Sequence, residues 1–329
     1  MIRRRQFIAG LGGAAAWPVV ARAQQAERVR RAAVLMYSDE NDLEGKARLA
    51  GLMQGLAQLG WTVGRDLLME VRWAAANADR TRVYAKELVD LQPDVILTTS
   101  TAITAALQRE TRTIPIVFAG ISDPVGSGFV ASLPRPSGNL TGFINIEASL
   151  GGKWLELLME IAPGVKRVAL MFSPEGAVGP YYVPSFEAAA RSLNVMPIAA
   201  PVRSETEIET TIALLAREPG GGVIFTPDGF TLLHRALTVS LTVRNDLPSV
   251  FSDIIWAREG GLLSYGPDPV DNYRRSASYA DRILRGAKPS DLSVQLPTKF
   301  VMAINLKTAK ALGLTVPQSI LLRADEVIE

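Results

Sequence analysis

Two rhythms of apolar residues alternate along this chain. Short apolar runs at residues 32–37, 67–73, 95–98 and 114–118 read as strands buried on both faces. Between the first two, Leu49, Leu52, Met53, Leu56 and Leu59 recur at three- and four-residue spacing, which predicts a helix over 44–59 ended by Gly60. Helices are likewise expected over 80–91, stopped by Pro93, and over 102–110. The alternation restarts after Ile144. Helices over 151–161, about 185–193, 205–217 and 232–244 separate strands over 167–172, 195–198, 223–225 and 249–251. A short helix from Asp253, a strand over 262–265, a helix over 271–284, extended segments at 294–297 and 300–304, and a helix over 306–312 capped by Asn305 complete the pattern. Strands alternating with helices of these lengths imply parallel sheets with right-handed crossovers, and two successive series imply two similar lobes.

The junction between the series is the segment IPIVFAGISDPVGSGFVASLPRPSGNLTG, residues 114–142. A strand breaks at Gly120. Asp123 then reads as an N-cap with Pro124 at the first helical position, where a missing N–H costs nothing. Phe129, Val130 and Leu133 would share one side of the turn that follows. Pro134, Pro136, Ser137, Gly138 and Asn139 make a rigid bend before residues 140–144 extend again.

Composition narrows the function. A chain of 329 residues exceeds one ordinary core. Its 48% apolar and 21% charged residues describe a globular protein. The absence of cysteine excludes a disulfide, a thiolate metal site, a cysteine nucleophile and a lipoprotein anchor. A single histidine, His234, excludes a multi-histidine metal centre. It falls inside a predicted helix, beside Arg235, where a solvated position is expected.

Residues 1–23 read as an export signal: Arg3, Arg4 and Arg5, an apolar run to Ala16, then Ala21-Arg22-Ala23 as a small-x-small cleavage pattern. Arg4-Arg5-x-Phe7-Ile8 resembles the twin-arginine pattern. The apolar run is short for a membrane span, so cleavage near Ala23 and release to the periplasm are expected. Removing its four arginines takes the formal charge from +2 to −2. A mature chain near neutrality gives no reason to expect nucleic-acid binding.

Ligands of open parallel sheets gather at the carboxyl ends of strands, where helix N-termini also point. The first series places Tyr37, Ser38, Thr99, Ser100, Thr101, Ser122 and Asp123 at such ends, and the second places Ser173, Thr226, Asp228, Ser252 and Asp253 there. Hydroxyls at a helix start suit a carboxylate, with Thr99-Ser100-Thr101 the first choice. An aspartate across a cleft would take an ammonium group, and such a pair reads an amino acid. Each residue also has a plainer use. Asp123, Ser100 and Thr101 would serve as caps, Asp228 before glycine as a turn residue, and Tyr181, Tyr182 and Phe230 as core or lobe surface rather than a stacking platform.

Enzyme templates are missing. No Gly-x-Gly-x-x-Gly follows a strand, and neither a Walker loop nor Gly-x-Ser-x-Gly occurs. No cofactor is expected. An exported α/β enzyme acting on a small carboxylate remains the alternative to a binding protein. A repressor-type sensor core is disfavoured by the leader.

The phrase DPVGSGFVASLPRPSGNLTG resembles the signature of the extracytoplasmic solute-binding proteins of ABC importers, in the group that includes tryptophan- and tyrosine-binding receptors. The segment GGLLSYGPDPVDNYRRSASYADRILRGAKPSDLSVQLPTKFVMAINLKTAKALGL and the closing ADEVIE agree with it. Ser137 departs, standing where the family usually has glycine, and so do residues 173–176 and 226–230, where side chains facing a ligand would vary. The resemblance implies a two-lobed periplasmic binding protein fold, type I-like, whose chain crosses between lobes three times, near Gly142, Gly266 and residues 292–295. One lobe would hold 30–142 with 267–293, the other 143–266 with 294–329. It further implies a monomeric receptor that closes on an amino acid or related small carboxylate, aromatic by resemblance to some relatives, and presents it to an inner-membrane permease.

Overall fold

The computed structural model describes residues 29–174 and 178–329. The expected leader lies outside them, as do Glu175 and Gly176 of the loop expected after residue 172. The first series is β1 (Arg30–Met36), α1 (Leu43–Gln58), β2 (Leu67–Trp73), α2 (Ala78–Asp90), β3 (Val95–Thr98), α3 (Thr101–Glu110), β4 (Ile116–Ile121) and β5 (Leu140–Ile144). The second series begins with α4 (Leu150–Ile161), β6 (Arg167–Phe172), α5 (Val178–Leu193), β7 (Met196–Pro201), α6 (Glu205–Ala216) and β8 (Gly221–Phe225). It continues through α7 (Gly229–Leu233), α8 (Arg235–Arg244), β9 (Ser249–Phe251), α9 (Ile254–Arg258) and β10 (Leu263–Pro267). The remainder is α10 (Pro269–Leu284), a 3-10 turn at Pro289–Asp291, β11 (Phe300–Asn305), α11 (Leu306–Ala311), α12 (Gln318–Arg323) and β12 (Glu326–Ile328). Among the described residues, no helix is long and apolar enough to cross a membrane.

Two sheets result. The first has the order β2-β1-β3-β4-β5 and is parallel throughout. The second has the order β12-β11-β10-β9-β8-β6-β7 and is parallel except between β10 and β11. The alternation within β1 explains why both faces of the first sheet are covered. Ala33 and Leu35 face α2 and α3, while Ala32, Val34 and Met36 face α1 and α10. Helix α10 comes from late in the chain yet packs on α1 so closely that a Cβ on Gly55 would stand 2.5 Å from the Arg274 carbonyl oxygen. In the second sheet Val168 and Leu170 face α4 and α5, and Ala169 and Met171 face α6, α8 and α9.

The chain passes from one sheet to the other three times: after β5, after β10, and after Gln295, which bridges Phe143 before β11 begins. Along these crossings an apolar band, Ile121, Ile144, Ile146 and Leu150, joins the two cores. Polar contacts reinforce it: Asn272 Nδ2 donates to the Ile144 carbonyl at 3.2 Å, and Thr141 Oγ1 to the Leu292 carbonyl at 2.5 Å.

Four local expectations are corrected. Asp123 does not start a helix; its Oδ1 accepts the Gly126 N–H at 2.7 Å and linked turns follow, because Pro124 and the left-handed Gly128 (φ 69°) favour turns over a continuing ladder. The helix expected over 232–244 is two helices, since His234 lies between α7 and α8 with a non-helical backbone. Helix α5 starts earlier than expected and runs through Pro184, which gives up one backbone N–H. Helix α12 was not anticipated, its six residues being too few to show a period.

Candidate functional site

In both sheets the second strand of the series lies outside the first and the third lies inside it, so strand order reverses at β1/β3 and again at β6/β8. A crevice opens outside the carboxyl ends of such strands. The chain carries two of these switch points, one per lobe.

At the first, the Tyr37 N–H donates to Thr99 Oγ1 at 2.8 Å. Ser100 Oγ accepts the Ile103 N–H at 3.2 Å and so caps α3. Thr101 is exposed on the first turn of that helix, and the Tyr37 side chain is 44% exposed. Ser38 packs against α1, where a Cβ on Gly45 would lie 2.1 Å from its Oγ. At the second, Asp228 is buried and holds three donors: Thr226 Oγ1 at 3.0 Å, the Ser173 N–H at 3.3 Å and the Thr231 N–H at 2.8 Å. The last bond caps α7.

Between the lobes lies a narrow cleft with a cavity volume of about 70 Å³. Arg48, Thr99, Gly120 and Tyr273 line it from the first sheet and the helices on it. Pro227, Ser252 and Asp253 line it from the second, and Asn145, Pro267 and Asn272 from the crossings. Two of its buried polar atoms have no hydrogen-bond partner among the described residues: Arg48 Nε and Ser252 Oγ. Burial opposes the charge of Arg48, but Tyr273, Asp253, Glu44 and Asp42 outweigh it and hold the guanidinium above its ordinary value. Burial pushes the Tyr273 phenol up, against the pull of Arg48 and Thr99. Asp253 Oδ1 accepts the Ile255 N–H at 3.0 Å, which starts α9.

A second cavity, of about 130 Å³, adjoins this cleft at Asn145. Its walls are mainly apolar: Val125, Leu133, Ile144, Ile146 and the ring of Tyr181, with Ser122, Asp123 and Pro124 at its edge. Ser122 Oγ donates to Asn145 Oδ1 at 3.1 Å, on the partition between the two cavities. Burial, with Glu147 and Asp123 nearby, pushes the Tyr181 phenol up.

Of the twelve residues singled out from sequence, Thr99, Ser252 and Asp253 line the cleft and Ser122 and Asp123 line the neighbouring cavity. Tyr37, Ser38, Ser100, Thr101, Ser173, Thr226 and Asp228 line neither; Tyr37 and Thr101 are exposed, and Ser100, Thr226 and Asp228 make the hydrogen bonds given above. Tyr182 is core, its ring 4.8 Å from Trp154, and Phe230 packs on His234 at 4.6 Å. Arg48, Asn145, Asn272 and Tyr273 were missed. Arg48 carried a legible signal, since it falls in register with the buried Gly45, Leu52 and Leu56 of α1. A charge on the core-facing side of a helix needs a reason to be there.

Two α/β lobes with a cleft at their switch points are an architecture found among solute-binding proteins. Residues 40–328 match the family described as ABC transporter substrate binding protein, and the chain belongs to that family. It is therefore a substrate-binding protein of an ABC transporter and not an enzyme. A curated relative, the tyrosine-binding protein of Clostridioides difficile (strain R20291), is 24% identical over 268 residues, 80% of this chain and 76% of that one. Among solved structures, a Streptococcus pneumoniae ABC domain in complex with L-Trp superposes with a TM-score of 0.78 at 25% identity, covering 91% of this chain and 99% of that one. A conserved domain protein of Vibrio cholerae gives the same TM-score and identity, 0.78 and 25%, covering 91% of this chain and 100% of the other.

Proposed function

We propose that the protein is the periplasmic receptor of an ABC importer, holding an amino acid or related small carboxylate between two lobes that close on it. One lobe is taken as 30–142 with 267–293 and the other as 143–266 with 294–329, the segment 1–23 being a twin-arginine-like signal cleaved near Ala23. Closure is a population shift, because a ligand touching both lobes binds only the shut form tightly. The closed monomer is what an inner-membrane permease would read.

The observation that carries this reading is the pair of unpartnered buried polar atoms, Arg48 Nε and Ser252 Oγ, in one cleft from opposite lobes. Buried polar groups are nearly always satisfied, and a bound solute would satisfy these. The apolar cavity beside Asn145 suits an apolar or aromatic side chain, which agrees with the relatives named for tyrosine and solved with L-Trp.

A thermal-shift screen of amino and organic acids, followed by calorimetry, tests the reading. A true ligand at a hundredfold over its Kd stabilises the fold by about 2.7 kcal/mol. If no compound in such a screen moves the midpoint, this ligand class is wrong.

A further inference from the structure

We propose that Arg48 is the residue that reads the ligand, and that it restricts the ligand to molecules bearing a carboxylate. The proposal rests on the receptor reading above and specifies its chemistry. Arg48 projects from the inner face of α1, where Gly45, Leu52 and Leu56 are buried, and lines the interlobe cleft. No carboxylate among the described residues lies within ion-pairing distance of it. The three acids in its field have other contacts. Glu44 Oε1 lies 2.5 Å from Arg258 Nη1, Asp42 Oδ2 accepts the Gly45 N–H at 3.0 Å, and Asp253 Oδ1 accepts the Ile255 N–H at 3.0 Å. What Arg48 touches instead is the neutral phenol of Tyr273. Its Nε is buried with no acceptor among the described residues.

A guanidinium stays protonated at any working pH, so it cannot escape burial by neutralising. The nearby acids favour the charge through space, but none pairs with the half-buried guanidinium directly, so there is room for a ligand to pair with its open Nε. A carboxylate from solution does so with matching fork geometry, and the neighbouring Ser252 hydroxyl, also without a partner, adds a donor from the other lobe. One anion would then bridge the lobes and favour the shut form. Asp253, lining the same cleft from the second lobe, leaves room for a cationic group on the ligand, as an amino acid has.

The test uses the chain without residues 1–23 and its Arg48→Met and Arg48→Lys variants. Calorimetry would be run with the proteinogenic amino acids and small organic acids, the primary amide of each compound that binds, tryptamine, and myo-inositol as a neutral polyol. At least one carboxylate should bind the parent protein. Its amide should bind roughly 10- to 100-fold more weakly, the usual value of a hydrogen bond to a charged group. Arg48→Met should weaken the carboxylate by a similar factor while changing the amide less than about threefold, and Arg48→Lys should recover part of the loss. The amide serves as an internal control for any damage to the fold. Acid and amide binding equally, or Arg48→Met weakening both alike, would overturn the role of Arg48 and leave the amino-acid or carboxylate reading standing; binding of only tryptamine or the polyol would overturn both. Binding of nothing at all would overturn the role of Arg48 and the proposed ligand class together.

Discussion

Arg258 Nη1 lies 2.5 Å from Glu44 Oε1, and the two residues sit on different lobes. Arg258 leaves the end of α9 on the second sheet, where Glu326 holds it in place at 2.8 Å, while Glu44 lies in the first turn of α1 on the first sheet. The pair joins α1 to α9 across the two lobes, so it forms only when the lobes are close. Exposed ion pairs are worth about 0–1 kcal/mol. Arg258→Gln should therefore tilt the unliganded protein toward the open form and weaken ligand binding by no more than about fivefold. Small-angle scattering without ligand checks the first effect, as a larger radius of gyration. An unchanged radius would mean the pair does not hold the lobes.

Gly266 shows how tightly the second crossing is built. A Cβ there would stand 1.9 Å from the Ser252 carbonyl oxygen, with no flexible side chain to yield. Gly266→Ala should destabilise the protein by roughly 1–3 kcal/mol, as overpacking does. Because the displaced residue lines the cleft, affinity should fall as well. Gly229→Ala is the matched control: a Cβ there meets nothing within 4 Å, so denaturant midpoints should be unchanged or slightly raised.

Asp268 ties that crossing to the third one. Its Oδ1 caps α10 by accepting the Val270 N–H at 2.9 Å, its Oδ2 lies 2.9 Å from Lys299 Nζ, and its own N–H donates to the Lys299 carbonyl at 2.9 Å. Burial raises the pKa of this carboxyl, but Lys299 and the capped N–H groups outweigh burial and hold it below its ordinary value of 3.8. The folded state thus binds the proton more weakly than the unfolded chain. The charge contributes fully above the ordinary carboxylate range, and the contribution is lost as pH falls through the lowered folded value. Asn caps as well as Asp, so Asp268→Asn isolates the charge. It should cost about 1 kcal/mol at pH 7, and the gap to the parent should close on acidification below 3.8. A gap independent of pH would assign the loss to packing.

The alternation of periods made both lobes legible, because parallel strands buried on two faces leave nearly continuous apolar runs. Short pieces were not legible. Six residues of α12 hold too little pattern, and Asp123-Pro124 offers the same start to a helix and to a chain of turns. Site residues were read by proximity to strand ends, which finds the right rim but not which way a side chain faces. Ser252 and Ser173 both follow β-strands; one hydroxyl is left at the cleft, while the other residue's N–H is spent on Asp228. Arg48 lies on a helix rather than at a strand end, and only its position in the apolar register set it apart.

Asp228 and Ser252 separate a residue that builds the cleft from one that faces a ligand. Asp228 accepts from Thr226, Ser173 and Thr231 out of solvent, and lines neither cavity. Asp228→Ala leaves those donors unmet and removes the α7 cap, so it should cost about 2–3 kcal/mol of stability. Ligand affinity of the folded fraction should stay within a few-fold. Ser252→Ala removes a buried hydroxyl that has no partner among the described residues, so the unliganded protein should be as stable or slightly more so. Its affinity for a carboxylate should nonetheless drop, by roughly fivefold for one lost hydrogen bond. Denaturation and calorimetry on the two variants give opposite patterns if Ser252 faces the ligand and Asp228 supports the loop. Equal loss of stability in both would mean that Ser252, like Asp228, is held by the fold itself.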